Sequence, residues 1–352
     1  MKTIEKPRID ESIKVDPSKI MQTGMGFWSA KTLLTAVKLD LFTHLSSKPL
    51  TGDEIKRRFS FHGRGLYDFL DALVAMGFLN RSGYKGSAVY SNAPDVETFL
   101  VSNKPTYIGG LLTMANNRLY PFWNYLEEGL KTGKPQNEVR DGRKPLFEEI
   151  YSDRDKTREF VNAMAGAQAG NFMIFASQFD YSGYETLCDI GGAGAQLSIQ
   201  VALHQSHMHC INFDLPPVCP IAAENTSFMG VADRVKIHAG DFFKDDFPKA
   251  DVITMGNILH DWGTADKKML IRKAYEALPE GGAFVVIENI IDNERCENLF
   301  GLLMSLNMLI ETPEGYDFTA ADFDGWTKEA GFSETRVMQL AGPSSAIIAL
   351  KK

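Results

Sequence analysis

Thr186-Leu187-Cys188-Asp189-Ile190-Gly191-Gly192-Ala193-Gly194 is the run on which the fold turns. A short β-prone segment carrying Asp189 passes directly into glycine at 191, 192 and 194. Glycines placed after a strand let a ligand approach the backbone closely. The spacing departs from the dinucleotide pattern: glycines at 192 and 194 would require a third at 197, and 197 is Leu. A tight turn with no ligand is the lesser reading of this run alone, and the case rests on what surrounds it.

Downstream, short β-rich runs alternate with helical ones. Strands are expected at residues 186–190, 209–214, 235–239, 251–255, 283–288, 334–339 and 346–350, with helical segments between the first five. Such βαβ alternation predicts a parallel, doubly wound sheet. Gly342-Pro343 joins the last two strands as a hairpin. The expected fold is therefore α/β, a Rossmann-like sheet ending in an antiparallel hairpin. Asp214 stands at the second strand end, where a carboxylate can accept ribose hydroxyls. Gly240-Asp241-Phe242 ends the third, where Asp241 can accept an adenine amino group and Phe242 can pack on the ring. Open α/β sheets bind ligands at the carboxyl ends of their strands. Each acid alone also reads as a solvated strand end; their joint occurrence carries the argument.

The same rim holds residues suited to proton transfer. The fourth strand leads to Asn257-Ile258-Leu259-His260-Asp261-Trp262, and the fifth ends at Glu288. An imidazole with an ordinary pKa near ~6.5 can act as a base, and a carboxylate beside it fixes its tautomer. Asp317 follows the predicted helix at 300–310 as a third acid. His204, His207 and His209 have metal-like spacing but straddle a helix end and a strand start, away from this rim. His44, His62 and His238 have no visible partners.

Upstream, residues 106–180 read as helices rich in aromatics and Met. Residues 1 to about 18 form a polar lead. A helix is expected over 27–45, a capping box at Thr51-Gly52-Asp53-Glu54 opening a short helix over 54–58, a second helix over 66–76, and a hairpin over 78–90. Helix, helix, hairpin is a winged-helix pattern. The 352 residues divide as 1–105, 106–180 and 181–352.

Composition is that of a globular chain, 44% hydrophobic and 23% charged. A net charge of -8 argues against coating nucleic acid or an anionic membrane. Four cysteines without a CxxC pair read as reduced thiols, and the polar N-terminus lacks a signal-peptide core. Cytoplasmic placement is expected, with no membrane association.

Together these motifs resemble the two-domain class I O-methyltransferases of the caffeate and acetylserotonin type, including bacterial tailoring enzymes. The likeness covers nearly the whole chain. Asp189 to Gly194 matches the family's DxGGGxG turn with Ala193 for Gly, Asp214 its ribose acid, Gly240-Asp241-Phe242 its GDF, and His260-Asp261-Trp262 its HDW. Asp317 stands where a supporting Glu is usual, and Ser305 where Asp is usual.

The resemblance implies a Rossmann-like methyltransferase domain behind an all-helical, winged-helix-like dimerisation domain, apart from its hairpin. It implies S-adenosylmethionine as cofactor, S-adenosylhomocysteine as product, no metal, and a homodimer. Cofactor contacts would come from Asp189, Gly191, Gly192, Gly194, Asp214, Leu215, Gly240, Asp241, Phe242, Gly256 and Asn257. His260 would be the base, supported by Glu288 and Asp317. Phe160, Met164 and Asp261 would line a small-molecule acceptor site. Three rivals remain. Iron-dependent C-methylation of a 2-oxo acid or enol needs a further histidine, and none follows His260. A non-methylating relative often alters the histidine that is present here. A winged-helix DNA-binding regulator needs a basic recognition helix, yet Asp68 and Asp71 sit on this one.

Overall fold

The computed structural model describes residues 15–352 apart from Pro105, Arg143 and Pro145. Much of the expected polar lead lies outside the described residues. The chain divides into two compact units, Met1–Lys104 and Pro105–Lys352.

The first unit is mainly helical, with a three-stranded sheet of β1 (Leu50–Thr51), β2 (Leu79–Ser82) and β3 (Val89–Asn92) in the order β1-β3-β2. The expected helix over 27–45 is two, Gly26–Lys38 and Leu41–Ser47, because Asp40 takes a left-handed φ of 54°. A short polar side chain tolerates that conformation. The capping box forms: Thr51 Oγ1 accepts from Glu54 N, and Glu54 Oε2 accepts from Thr51 N at 2.7 Å. Arg81, beside the second predicted helix, is engaged by Asp71 at 2.8 Å.

The second unit contains a sheet of β4 (Thr186–Ile190), β5 (His209–Asp214), β6 (Val235–Ala239), β7 (Val252–Gly256), β8 (Ala283–Glu288), β9 (Glu334–Gln339) and β10 (Ser345–Leu350). Among the described residues the order is β6-β5-β4-β7-β8-β10-β9. β4 to β8 pair in parallel, while β10 runs antiparallel to both neighbours. The order reverses direction between β4 and β7, which opens a crevice at their carboxyl ends. All six residues of β8 are buried, as a central strand covered on both faces requires. One core gathers Leu187, Val201, Val285 and Ile348 on one face of the sheet; the other gathers Ile190, Ile253, Phe284 and Phe323. The chain crosses from β6 to β7 without a helix, through the turn-rich loop 240–251, against the expected alternation.

Ahead of the sheet, the helix Arg154–Gln178 begins on Asp153, whose Oδ1 accepts from Asp155 N and Lys156 N at 2.9 Å each. It lies close to the helix Gly109–Met114. A Cβ on Gly166 would stand 2.9 Å from Tyr107 O, so glycine sets that approach.

Candidate active site

The turn after β4 leaves no room for side chains at its glycines. A Cβ on Gly192 would lie 2.1 Å from Asn212 Oδ1, and one on Gly191 would lie 2.4 Å from Ile258 Cδ1. Gly194 is confined by Val161 and Asn225 in the same way. Ala193 holds a left-handed φ of 44° where glycine would be at ease.

Asp214, at the end of β5, accepts from Ala193 N and Leu215 N at 2.7 Å each. No cation pairs with it among the described residues, and burial pushes its carboxyl up to about 6. A carboxylate offers about four acceptor positions, so capacity remains for hydroxyl donors. Asp189 is also buried. Thr254 Oγ1 donates to it at 2.7 Å, and burial pushes it up to about 7. Two buried acids without counter-ions suit a ligand that carries positive charge and hydroxyls.

Gly240 N donates to Asp214 O at 2.9 Å, tying the end of β6 to that of β5. Asp241 is held by Lys244 at 2.8 Å and accepts from Phe243 N. Phe242 packs against Phe243 and Trp262, at 4.8 and 5.9 Å between ring centres. Asn257, past the end of β7, has a left-handed φ of 54°; its Oδ1 accepts from Gln168 Nε2 at 2.7 Å. Phe172 lies 3.2 Å from where a Cβ on Gly256 would stand.

His260 is buried in the short turn Leu259–Asp261. Its Nδ1 is 3.4 Å from Asp317 Oδ1, and its Nε2 is 3.6 Å from Asp261 Oδ1. Glu288, expected to hold the imidazole, instead accepts from the backbone N of His260 at 3.2 Å. Ser305 Oγ accepts from Asp317 N at 3.2 Å and anchors that acid to the helix Leu299–Glu311. Burial alone would lower the imidazole pKa. Glu288, Asp261 and Asp317 outweigh it and raise it to about 10. Burial raises Glu288 to about 7 and Asp261 to about 6.

Atoms of His260, Glu288 and Asp317 all lie within 4.8 Å of one another, near enough to share a cation. A cation that the chain brings within electrostatic reach of these acids is Lys267, which the sequence reading missed. It is fully buried, its Nζ donates to Trp262 O, and it sits 3.6 Å from the centre of the Tyr316 ring. Its signal was periodicity: Lys267, Leu270, Ile271, Ala274 and Ala277 form the buried stripe of the helix Thr264–Ala277.

Phe160 is half-buried, its ring against Phe147 and Tyr151 at 6.3 and 6.5 Å. Phe147 in turn stacks 6.5 Å from Trp262. Met164 follows one helical turn after Phe160, half-buried. Burial, with Asp214 and Asp261 nearby, pushes the Tyr151 phenol up. A cavity of about 310 Å³ opens beside it, lined also by Arg154, Thr157, Pro217 and Pro220. The histidines set aside as structural stay apart from this rim: His204 bonds Gln200 O, and His207 bonds Tyr181 O.

A family model described as an O-methyltransferase domain matches residues 123–333, and one described as an O-methyltransferase dimerisation domain matches residues 21–102. Tetracenomycin polyketide synthesis 8-O-methyl transferase TcmO of Streptomyces glaucescens is 37% identical over 335 residues, covering 95% of this chain and 97% of that protein. N,N-dimethyltransferase OxyT of Streptomyces rimosus is 31% identical over 313 residues, covering 89% of this chain and 90% of that protein. The crystal structure of human N-acetylserotonin methyltransferase in complex with SAM superposes with a TM-score of 0.89 at 26% identity, covering 97% of this chain and 99% of that one.

Proposed function

The chain belongs to the family of S-adenosylmethionine-dependent O-methyltransferases, and from that membership we propose that it methylates a hydroxyl of a flat aromatic molecule with His260 as general base. S-adenosylmethionine is the cofactor and S-adenosylhomocysteine its product. The residues fit it. Bare backbone at Gly191, Gly192 and Gly194 would receive the amino-acid part, Asp214 with Leu215 the ribose, and Asp241 and Phe242 the adenine. Gly240 shapes that last turn, and Gly256 and Asn257 close the far side. Asp189 contributes negative charge toward a cationic ligand. When bound, the cofactor supplies the electrophilic methyl group.

The protein's share is placement and proton removal. His260 takes the acceptor's hydroxyl proton as the oxygen becomes nucleophilic. Asp317 faces Nδ1 and orients the ring, while Glu288 fixes the backbone that carries it. Asp261, Phe160 and Met164 line the acceptor site, with Phe147 and Tyr151 extending its aromatic wall. Holding donor and acceptor at attack distance supplies much of the rate. Similarity to a polyketide 8-O-methyltransferase supports a polycyclic phenol as acceptor.

The observation that carries this reading is a buried histidine set among carboxylates on the rim that also holds the glycine turn and Asp214. Calorimetry with S-adenosylmethionine and S-adenosylhomocysteine, followed by a panel of polycyclic phenols assayed for the homocysteine product, tests it. His260→Ala is expected to keep cofactor affinity and lose on the order of 10²–10⁴ in turnover. Turnover that survives removes His260 from the mechanism.

An aromatic amine is the second reading. It is favoured by the likeness to an N,N-dimethyltransferase and by carboxylates that suit a neutral or cationic acceptor. The same panel includes amines. We also infer a homodimer formed through the N-terminal domain, which exposes Ile20, Met21, Phe27 and Trp28. None of the helices in the described residues is long and apolar enough to cross a membrane.

A further inference from the structure

Lys267 is an expensive residue to keep. A lysine ammonium taken out of water loses its hydration, and a lysine is almost never fully buried unless paired. It also sits in the first turn of the helix Thr264–Ala277, where the macrodipole is positive and a cation is disfavoured. Neither cost is met by a direct ion pair, since its Nζ donates to the carbonyl of Trp262. Compensation comes from the π faces of Tyr316 at 3.6 Å and Phe318 at 5.8 Å, and from the surrounding acids.

Tyr316 is pinned over the amine by a 2.6 Å hydrogen bond between its hydroxyl and Thr264 Oγ1. The charged groups that face the cluster come from several elements: Glu288 from β8, Asp261 and His260 from the turn after β7, Asp317 from the loop after the helix Leu299–Glu311, and Lys267 itself. Further out, the charge of Asp261 also acts on Glu311 and on the Tyr151 phenol. Glu311 is in turn neutralised by Arg118 at 2.9 Å.

We infer that Lys267 is a positioning residue for the methyl-transfer base: its sealed ammonium competes with His260 for the negative charge of Asp261, Glu288 and Asp317, and so makes the imidazole give up its proton more readily than those three acids alone would allow. Three carboxylates around one imidazole would hold it as imidazolium, which can accept no proton. A second cation fixed beside the same acids opposes that protonation. Burial pushes Lys267 down to about 8 against the pull of the acids. Loss of the Lys267 proton should therefore be felt by His260 through the acids they share. This inference rests on His260 being the base.

The test is the titration of the His260 imidazole by carbon-labelled histidine NMR, with its resonance assigned by loss in His260→Ala. It needs no acceptor. In Lys267→Met the midpoint is expected to rise by on the order of one pH unit, and in Lys267→Arg to stay near the wild-type value. The acidic limb of kcat/KM should move with it: Lys267→Met loses on the order of tenfold near neutrality and converges on wild type at high pH. A loss through misfolding would be equal at every pH. Melting curves and cofactor calorimetry establish that the variants fold.

If Lys267→Met does not fold, the unmutated protein carries the test. The His260 resonance should then show a second inflection at the midpoint of one lysine that titrates well below the others. Equal midpoints in wild type and Lys267→Met, or a single inflection in the unmutated protein, overturn the assignment. Turnover surviving in His260→Ala sinks the base reading instead, and leaves the titration result standing.

Discussion

His260 lies where burial and neighbouring charge pull in opposite directions, and the charges win. Asp317 is the carboxylate nearest its Nδ1, so Asp317→Asn removes one of three groups that hold the proton on. The imidazole midpoint should fall, opposite in sign to the change expected for Lys267→Met. Turnover should fall as well, by on the order of tenfold or more, because the ring loses both basicity and its orienting partner. Histidine NMR and a pH profile of kcat/KM read the two effects. A midpoint that stays put would leave Asp317 without an electrostatic role.

At this scale the sequence was most legible where a residue type has few uses: glycines after a strand, acids at strand ends, a histidine on the same rim. It misled at Lys267, since a lysine near the start of a helix ordinarily faces water. It also could not say which acid meets the imidazole. Glu288 is separated from His260 by a whole helix and Asp317 by more, and only the packed loop decides between them.

The loop 312–319 acts as one element. Thr312 Oγ1 accepts from Gly315 N at 2.8 Å, Tyr316 covers Lys267, and Asp317 reaches His260. All of this depends on Gly315 passing beside the turn that carries His260. A Cβ there would stand 2.3 Å from Thr312 Oγ1, 2.6 Å from His260 O and 2.8 Å from Asp261 C. Two of those atoms are backbone and cannot step aside. Gly315→Ala should therefore cost about 1–3 kcal/mol of stability, and cost turnover more than cofactor affinity, because Asp317 moves with the loop. Gly325→Ala is the control. That glycine is exposed within the helix Ala320–Ala330 with open space around it, so alanine should stabilise by about 0.5–1 kcal/mol. Thermal melts and calorimetry compare the two, and a harmless Gly315→Ala would show that the loop is not held by this approach.

Elements with a local signature were the readable ones. Strand positions followed from β-prone runs and turn residues, and the capping box at Thr51 from four consecutive residues. The left-handed break at Asp40 and the helix-free crossing over 240–251 carry no such signature. The first needs a helix to close at Lys38 against its own hydrophobic stripe. The second depends on where β7 lies in the sheet.

Across the whole second unit, the rim concentrates acids whose protons bind more tightly when the chain is folded. Burial raises Asp214 and Asp261 to about 6, and Asp189 and Glu288 to about 7. The unfolded values are near ~3.9 for Asp and ~4.3 for Glu. A group whose folded pKa lies above its unfolded one contributes stability that is complete below the unfolded value and is lost as pH rises through the folded one. These four acids therefore withdraw stability between about pH 4 and 7. His260, raised to about 10, continues the loss from the unfolded imidazole value near ~6.5 upward.

Lys267 has the opposite sign. Lowered to about 8, it returns stability only as pH climbs from about 8 toward the 10.5 of a free lysine. The ligand-free protein should consequently melt at progressively lower temperature from mildly acidic to neutral pH. Loss of protons from these acids, three buried and Asp261 nearly so, withdraws on the order of several kcal/mol by neutrality. A cofactor with a positive sulfonium and two ribose hydroxyls meets Asp189 and Asp214 in their ionised forms, so it should bind more tightly as pH rises through the same window. Thermal melts across that range, with and without S-adenosylmethionine, should diverge toward neutrality. Parallel curves would mean that these acids do not face the cofactor, and that the rim's negative charge serves the fold alone.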